Sequence, residues 1–191
     1  MGATHNKKED ILSVASDLIN TRGFNGTSLQ EIADKVGIHK STLFHYIRNK
    51  KSLLVLVLEQ HRKNIISNLQ KISSLDELDA AEKLREAIQN HLNVLLENRT
   101  HLNIYFNEMK MLPPKYRKEY VTETKKYEKN FQDIIVEMQK KGYFKGLDPK
   151  IVTFGIFGML GSIPKWYKTG GPLSMKQISD IMYKMIVGSG K

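Results

Sequence analysis

Residues 35–51 are the segment best equipped for chemistry, because they are strongly basic and contain no aspartate or glutamate. A local excess of positive charge of this kind attracts the phosphates of a nucleic acid. Polar and aromatic side chains between the cations are suited to contacts with base edges. The segment therefore indicates a surface that binds a polyanion. Its basic residues are Lys35, Lys40, Arg48, Lys50 and Lys51.

Two short helices must position these side chains. The first is predicted to begin at Ser28, which forms a capping box with Glu31, and to end at Gly37. Gly37 permits a tight turn, since a side chain there would resist a left-handed backbone. The second helix is predicted over about residues 40–47. This is the layout of a helix-turn-helix, whose second helix enters the major groove of DNA.

The second helix has a buried and an outer face. Leu43 and Ile47 are spaced to anchor it, and Ala33 is small where the two helices must pack closely. A competing interpretation is a packed three-helix bundle whose basic residues form only a solvated face. The side chains left on the outer face are Lys40, Ser41, Phe44 and His45.

Helical periodicity runs along the whole sequence, and no strand pattern is sustained. The predicted fold class is all-α, with about nine helices. A helix-turn-helix domain of residues 1–52 is expected to precede a helical domain of residues 53–191 for ligand binding and dimerisation. The predicted helices cover about residues 7–22, 28–36, 40–47, 49–72, 79–97, 100–111, 115–141 and 149–168, with a last helix after Ser174.

The composition excludes several classes of protein. Among 191 residues, 30 Lys and Arg stand against 20 Asp and Glu, and the net charge of +10 favours polyanionic partners. The absence of cysteine excludes disulfides, thiolate nucleophiles and cysteine-ligated zinc. The N-terminus lacks the apolar stretch of a signal peptide, and the apolar window 151–164 is too short to span a membrane. We expect a cytoplasmic protein with no membrane partner.

Enzymatic chemistry finds no support in the sequence. The histidines lack the spacing of a metal site, and His91 and His101 are interpreted as core or pocket residues. No glycine-rich phosphate loop is present, and no GxGxxG motif follows a strand. We therefore expect no catalytic residue, no metal, no cofactor and no enzymatic activity.

A longer pattern around the helix-turn-helix resembles the TetR family of transcriptional regulators. It covers most of residues 7–58 and rests on Gly23–Ser28, Ile32–Ala33, Val36–Ile38, Ser41–Ile47 and Asn49–Leu54. The resemblance implies a homodimer that binds a double-stranded DNA operator and whose C-terminal helices bind a small effector. Carried over by position, it implies phosphate contacts from Thr27, Ser28, Thr42, Tyr46 and Lys50. It also implies base-edge contacts from Lys40, Ser41 and Phe44, with His45 in either role.

Three positions depart from the family pattern. Phe44 stands where the family usually has tyrosine, so only an apolar contact remains, for instance with a thymine methyl group. His39 replaces the usual serine cap of the second helix, and Ile47 replaces the usual phenylalanine. None of these changes removes the motif.

Small residues near the C-terminus predict a dimer interface. Gly155, Gly158 and Gly161 recur at every third residue and let helices approach closely. The other interpretation is that these glycines relieve crowding against a helix of the same chain. The last helix supplies a matching apolar face with Ile178, Ile181, Met182 and Met185.

Residues 164–174, with an aromatic pair before a Gly-Gly-Pro-Leu-Ser turn, resemble the acyl-CoA-responsive branch of the TetR family. This resemblance implies a hydrophobic effector, with an acyl-CoA or a fatty acid favoured. Each apolar candidate has ordinary core packing as its competing interpretation. The candidate ligand-binding residues are Leu92, Leu96, Tyr105, Phe106, Met109, Phe131, Ile135, Met138 and Trp166.

The sequence thus favours a DNA-binding regulator, in particular a repressor released from a palindromic operator by a small hydrophobic effector. Two alternatives come from other classes. In one, the C-terminal domain only dimerises and DNA binding ignores any effector. In the other, the helix-turn-helix is a protein-interaction module that does not bind DNA.

Overall fold

The computed structural model describes residues 6–75 and 77–188, and of residues 61–68 the backbone only. The described residues form ten α-helices and one 3-10 helix, and they contain no strand. The all-α fold class is therefore confirmed. The helices are α1 (Lys7–Arg22), α2 (Leu29–Val36), α3 (Lys40–Leu43), α4 (Lys50–Ser73), α5 (Ala80–Glu97), α6 (Arg99–Glu108), the 3-10 helix Met109–Met111, α7 (Pro114–Lys140), α8 (Pro149–Gly161), α9 (Ile163–Trp166) and α10 (Met175–Gly188).

Capping residues fix the starts of α2 and α10. The backbone N–H of Glu31 donates to the Ser28 hydroxyl at 3.0 Å, but the Glu31 carboxylate pairs with Arg22 at 2.6 Å instead of returning to the cap. At α10 both halves of a capping box form. The Gln177 N–H donates to the Ser174 hydroxyl at 3.3 Å, and the Ser174 N–H donates to the Gln177 side chain at 2.8 Å. Each cap satisfies backbone donors that the first helical turn leaves open.

The second helix of the helix-turn-helix is shorter than predicted. It ends at Leu43, and residues 44–46 continue as turns in which the Tyr46 N–H donates to the Leu43 carbonyl at 3.0 Å. His39 provides no side-chain cap, and the following aromatic and β-branched residues have modest helix propensity. Local preference is therefore weak, and tertiary packing determines the path of residues 44–47.

The predicted helix 149–168 is two separate helices, α8 and α9. The described residues therefore form ten α-helices where the sequence predicts about nine. Asp148 caps α8 through the Lys150 N–H at 2.7 Å, with Pro149 in the first turn as predicted. Pro164 has no N–H to donate to the carbonyl of Leu160, four residues earlier. The helix is interrupted there, and α9 is a separate single turn.

The chain divides into two compact units. Unit 1 comprises Met1–Lys63 and Thr100–Tyr120, and unit 2 comprises Asn64–Arg99 and Val121–Lys191. The core of unit 1 joins α1–α4 to Tyr105, Leu112 and Tyr120. The core of unit 2 joins α5 to α7, α8 and α10. The domain boundary predicted after residue 52 lies within α4 and stays a prediction.

Candidate functional site

The turn of the helix-turn-helix has the geometry that the sequence predicts. Gly37 is left-handed, with φ 71° and ψ 40°, and its N–H donates to the Asp34 carbonyl at 3.2 Å. The N–H of Ile38 donates to the Ala33 carbonyl at 3.0 Å, and the Ala33 side chain is fully buried between the helices. This turn fixes the start of α3 relative to α2.

The outer face of this motif is exposed. Leu43 is fully buried and Ile47 nearly so, whereas Lys40, Ser41 and His45 are exposed. Phe44 is 47% exposed. Its ring is therefore accessible to a partner. Thr42 is half-buried, and Tyr46 is exposed.

The cations of residues 35–51 are available to a ligand. Lys35, Lys40, Arg48 and Lys51 are exposed and form no ion pair within the described part of the chain. Their charge is therefore offset only by solvent and counterions. When such cations neutralise phosphates, the counterions condensed on the nucleic acid are released, and this release favours binding.

Lys50 is positioned more firmly than these four cations. It is half-buried, and its ammonium group lies 4.5 Å from the centroid of the Phe24 ring. The same nitrogen donates to the Asn25 carbonyl at 3.4 Å. This lysine therefore presents its charge from a fixed place beside the turn between α1 and α2.

Thr27 and Ser28 occupy different environments. Thr27 is only 2% exposed, and its hydroxyl donates to the Gly23 carbonyl at 3.0 Å. The structure thus places Thr27 inside the turn before α2, where its hydroxyl proton is already used. Ser28 is exposed and caps α2 through its hydroxyl.

A contact that the sequence did not predict joins this turn to α6 within unit 1. The backbone N–H of Phe24 donates to the carboxylate of Glu108 at 2.8 Å. The two residues are 84 positions apart. No local motif marks Glu108, so only the folded structure reveals the link.

The helices α8 and α10 each carry an exposed face, which has glycines on α8 and apolar side chains on α10. Gly155, Gly158 and Gly161 are exposed, and an added Cβ at any of them would meet nothing within 4 Å. Crowding inside the chain therefore does not explain these glycines. Ile181 and Met185 of α10 are exposed and Met182 is half-buried, whereas Ile178 is only 4% exposed and belongs to the core.

The predicted ligand-binding residues do not form a single cluster. Leu92, Phe131, Ile135 and Met138 lie fully buried in the core of unit 2, with Leu96 half-buried in the same unit. The remaining four lie elsewhere. In unit 1, Tyr105 is buried, Met109 packs against the core and Phe106 is 73% exposed, while in unit 2 Trp166 is 53% exposed.

A polar pair lies within the apolar core of unit 2. His91 Nδ1 and the Tyr127 hydroxyl share a hydrogen bond of 2.8 Å. The imidazole stacks on the Phe157 ring at 4.5 Å with an interplanar angle of 5°, and Phe131 packs edge-on at 6.3 Å. Burial lowers the pKa of His91 to about 4 and raises the pKa of Tyr127 above its usual range. Both groups are therefore uncharged at neutral pH.

Two other kinds of site were sought among the described residues. No cluster of three or more histidine, aspartate or glutamate side chains there is arranged to hold a metal ion. None of the described helices has the length and apolar character needed to cross a membrane.

Comparison with known proteins places this geometry in a family. Residues 11–57 match "Bacterial regulatory proteins, tetR family", and residues 77–189 match "Tetracyclin repressor-like, C-terminal domain". The second match alone covers more than half of the chain. The protein therefore belongs to the TetR family of DNA-binding transcriptional regulators, and it is a regulator rather than an enzyme.

Three individual relatives are only 22–27% identical to this chain. The chain is 27% identical to the HTH-type transcriptional repressor KstR2 of Mycolicibacterium smegmatis over 188 residues, which are 95% of this chain and 89% of the relative. It is 27% identical to AibR, whose structure contains isovaleryl coenzyme A and operator DNA, with a TM-score of 0.79 over 95% of this chain and 98% of AibR. KstR2 of Mycobacterium tuberculosis shares the fold, with a TM-score of 0.84 at 22% identity over 100% of this chain and 97% of that structure.

Proposed function

We propose that this protein is a homodimeric, cytoplasmic repressor that binds a palindromic operator and is released from it by a small hydrophobic effector. The observation that carries the proposal is the helix-turn-helix with an exposed outer face and unpaired cations. Repression, rather than activation, is supported by the similarity to the transcriptional repressor KstR2.

DNA contacts divide into two roles. Lys40, Ser41 and Phe44 read base edges, with the Phe44 ring suited to a thymine methyl group. Phosphates are held by residues around this face, and these contacts set the position of the protein without reading sequence. The phosphate-binding residues are Ser28, Thr42, Tyr46 and Lys50, with His45 in either role; Thr27 serves the turn instead.

The exposed faces of α8 and α10 pair with the same faces of a second copy. Glycines with open space around them allow two helices to pack closely. The exposed Ile181 and Met185 supply apolar area that a partner would remove from water. A two-fold dimer presents two recognition helices about 34–36 Å apart, the spacing of half-sites one turn apart on DNA.

The effector is an acyl-CoA or a fatty acid. The resemblance of residues 164–174 to the acyl-CoA-responsive branch supports the acyl-CoA class, as does the isovaleryl coenzyme A bound to AibR. Effector binding favours a dimer arrangement whose recognition helices do not match the operator half-sites. The coupling required is about 1–3 kcal/mol, which is typical of allosteric proteins.

A genomic selection tests operator and effector together. Purified protein captures sheared DNA of its source organism with and without a long-chain acyl-CoA, and the retained fragments are sequenced. We expect a few enriched palindromes that are lost when acyl-CoA is added. Enrichment that ignores acyl-CoA contradicts an acyl-CoA effector and favours a fatty-acid effector or the purely dimerising alternative. No enrichment in either sample favours the protein-interaction alternative.

A further inference from the structure

The His91–Tyr127 pair is an unusual feature for the core that surrounds it. Aliphatic and aromatic residues of the unit 2 core surround the pair, and the amide of Asn90 lies beside Tyr127. Burying a polar pair in such a core is unfavourable compared with an apolar pair of the same shape. Packing alone therefore gives no reason for a histidine and a tyrosine at these two positions.

The pair also keeps hydrogen-bonding capacity unused. A neutral imidazole has two ring nitrogens, one a donor and the other an acceptor. His91 uses Nδ1 toward Tyr127 and is 9% exposed, and Nε2 has no partner among the described residues. The parallel stack on Phe157 fixes the plane in which Nε2 can bond. When the Tyr127 hydroxyl donates to Nδ1, Nε2 carries the ring proton and can donate one hydrogen bond to a ligand oxygen.

We propose that His91, oriented by Tyr127 and Phe157, binds an uncharged oxygen of the effector, such as a thioester carbonyl, and that a free carboxylate is excluded. This inference rests on the proposed function. Of the two proposed effector classes, acyl-CoA and fatty acid, it selects the acyl-CoA thioester.

The charges around the pair explain the exclusion of a carboxylate. Burial keeps the imidazole uncharged at neutral pH, so a carboxylate beside it would be stabilised only if the ring were protonated against this cost. The buried cation of α5 is Lys83, eight residues before His91 and therefore about 12 Å away along the helix. Lys83 already pairs with Glu137 at 3.1 Å. Among the described residues, no other buried lysine or arginine is available to pair with a carboxylate at His91.

Three ligands of equal chain length separate the possibilities: octanoyl-CoA, the thioether S-octyl-CoA, which lacks the carbonyl, and octanoate. Binding of each is measured by titration calorimetry. We expect wild-type protein to bind octanoyl-CoA about three- to tenfold more tightly than S-octyl-CoA, the range for one hydrogen bond. Octanoate should bind more weakly than either.

Substitutions test whether the difference in affinity between octanoyl-CoA and S-octyl-CoA arises at the His91–Tyr127 pair. His91→Phe preserves a ring for the Phe157 stack, and it should bring the octanoyl-CoA to S-octyl-CoA ratio to about one. Tyr127→Phe leaves the imidazole unoriented and should reduce the ratio, which provides a second variant if the first folds poorly. His101→Phe is the matched control, because it makes the same change at a buried histidine of unit 1.

The outcomes separate this inference from the proposed function. A ratio near one in wild-type protein, or an unchanged ratio in His91→Phe and Tyr127→Phe, overturns the role of His91 and leaves an acyl-CoA effector in place. Octanoate as the tightest ligand overturns the role of His91 and favours a fatty-acid effector instead. Failure of both coenzyme A compounds to bind wild-type protein overturns the effector class itself. DNA capture without ligand tests the regulator independently of either result.

Discussion

The DNA-facing surface of unit 1 and the His91 cluster of unit 2 place their polar groups in opposite environments. On the surface, Lys40 and Lys51 stand in solvent, and salt screens their charges. In the cluster, His91 and Tyr127 lie in an apolar core where each depends on its immediate neighbours. The effects of single side chains on binding are therefore expected to be additive on the surface, whereas the effects of His91 and Tyr127 depend on each other. Operator affinity and effector choice should then respond to different substitutions.

The exposed faces of α8 and α10 should be an exception to this separation. They form the proposed dimer interface, and tight operator binding would require the dimer. Gly158 is exposed, and an added Cβ there meets nothing within 4 Å among the described residues, so the backbone has room for the first atom of the Gly158→Trp side chain. We expect the dimer to dissociate and operator affinity to fall at least about 1000-fold, since one half-site remains. Sedimentation equilibrium and fluorescence anisotropy measure the two effects. Lys145→Trp, at an exposed position outside these faces, is the control. A dimeric Gly158→Trp protein would place the interface elsewhere.

Charge reversal on α3 should separate the two regions most cleanly. Lys40→Glu removes a base-edge contact in both half-sites and adds repulsion of the phosphates, and each such contact contributes about 1–3 kcal/mol. Operator affinity should fall at least about 100-fold, while calorimetry with octanoyl-CoA gives an unchanged dissociation constant. Lys145→Glu makes the same charge change away from the helix-turn-helix. If operator affinity falls equally in Lys40→Glu and Lys145→Glu, Lys40 contributes only through the net charge of the protein and makes no specific base contact.

Acid should destabilise the cluster of unit 2. The pKa of His91 is about 4 in the folded protein and 6.5 in the reference state, so between these values the unfolded chain binds a proton that the folded chain does not. The free energy of unfolding therefore decreases as the pH falls from 6.5 to 4, by at most about 3 kcal/mol. Urea unfolding across this window measures the decrease.

His91→Phe should lose this part of the pH dependence, and His101→Phe should keep it. The relevant quantity is the difference in unfolding free energy between each variant and wild-type protein at each pH. A His91→Phe curve parallel to that of wild-type protein would contradict the burial of a neutral imidazole.

The smallest effect is expected at Lys50. Lys50→Ala removes one phosphate contact per half-site, so affinity should fall to a similar extent for every DNA sequence. The slope of log affinity against log salt should decrease in magnitude by about one for each half-site. Binding titrations at several salt concentrations give this slope, with Lys145→Ala as the control. An unchanged slope would assign Lys50 to the turn, where it already contacts Phe24 and Asn25.

Much of the helix-turn-helix was predictable because its determinants are local. Gly37 and the Ser28 cap act within a few residues, and the structure places both as predicted. The short α3 was not predictable from periodicity, because the turns after Leu43 depend on packing of Ile47 into the core. Pro164 could have indicated the break before α9, since proline interrupts a helix interior.

The interior of unit 2 was less accessible to sequence reasoning. Apolar periodicity identifies a buried face but not which other face it meets, so Tyr105 and Leu92 were predicted together although they lie in different units. The His91–Tyr127 bond joins residues 36 positions apart, and Phe157 comes from a third helix. No local pattern marks such a cluster.

The hydrogen bond from Phe24 to Glu108 has a consequence for protein engineering. The helix-turn-helix shares its core with residues 100–120, and this bond connects its first turn to the end of α6. A sensor built by fusing only residues 1–58 to a foreign ligand domain would lose these partners and expose the apolar side of α1 and α4. A DNA-binding domain taken from this protein for use in a fusion must therefore be discontinuous. It should contain residues 1–58 and residues 100–120, with the new domain inserted between these two segments.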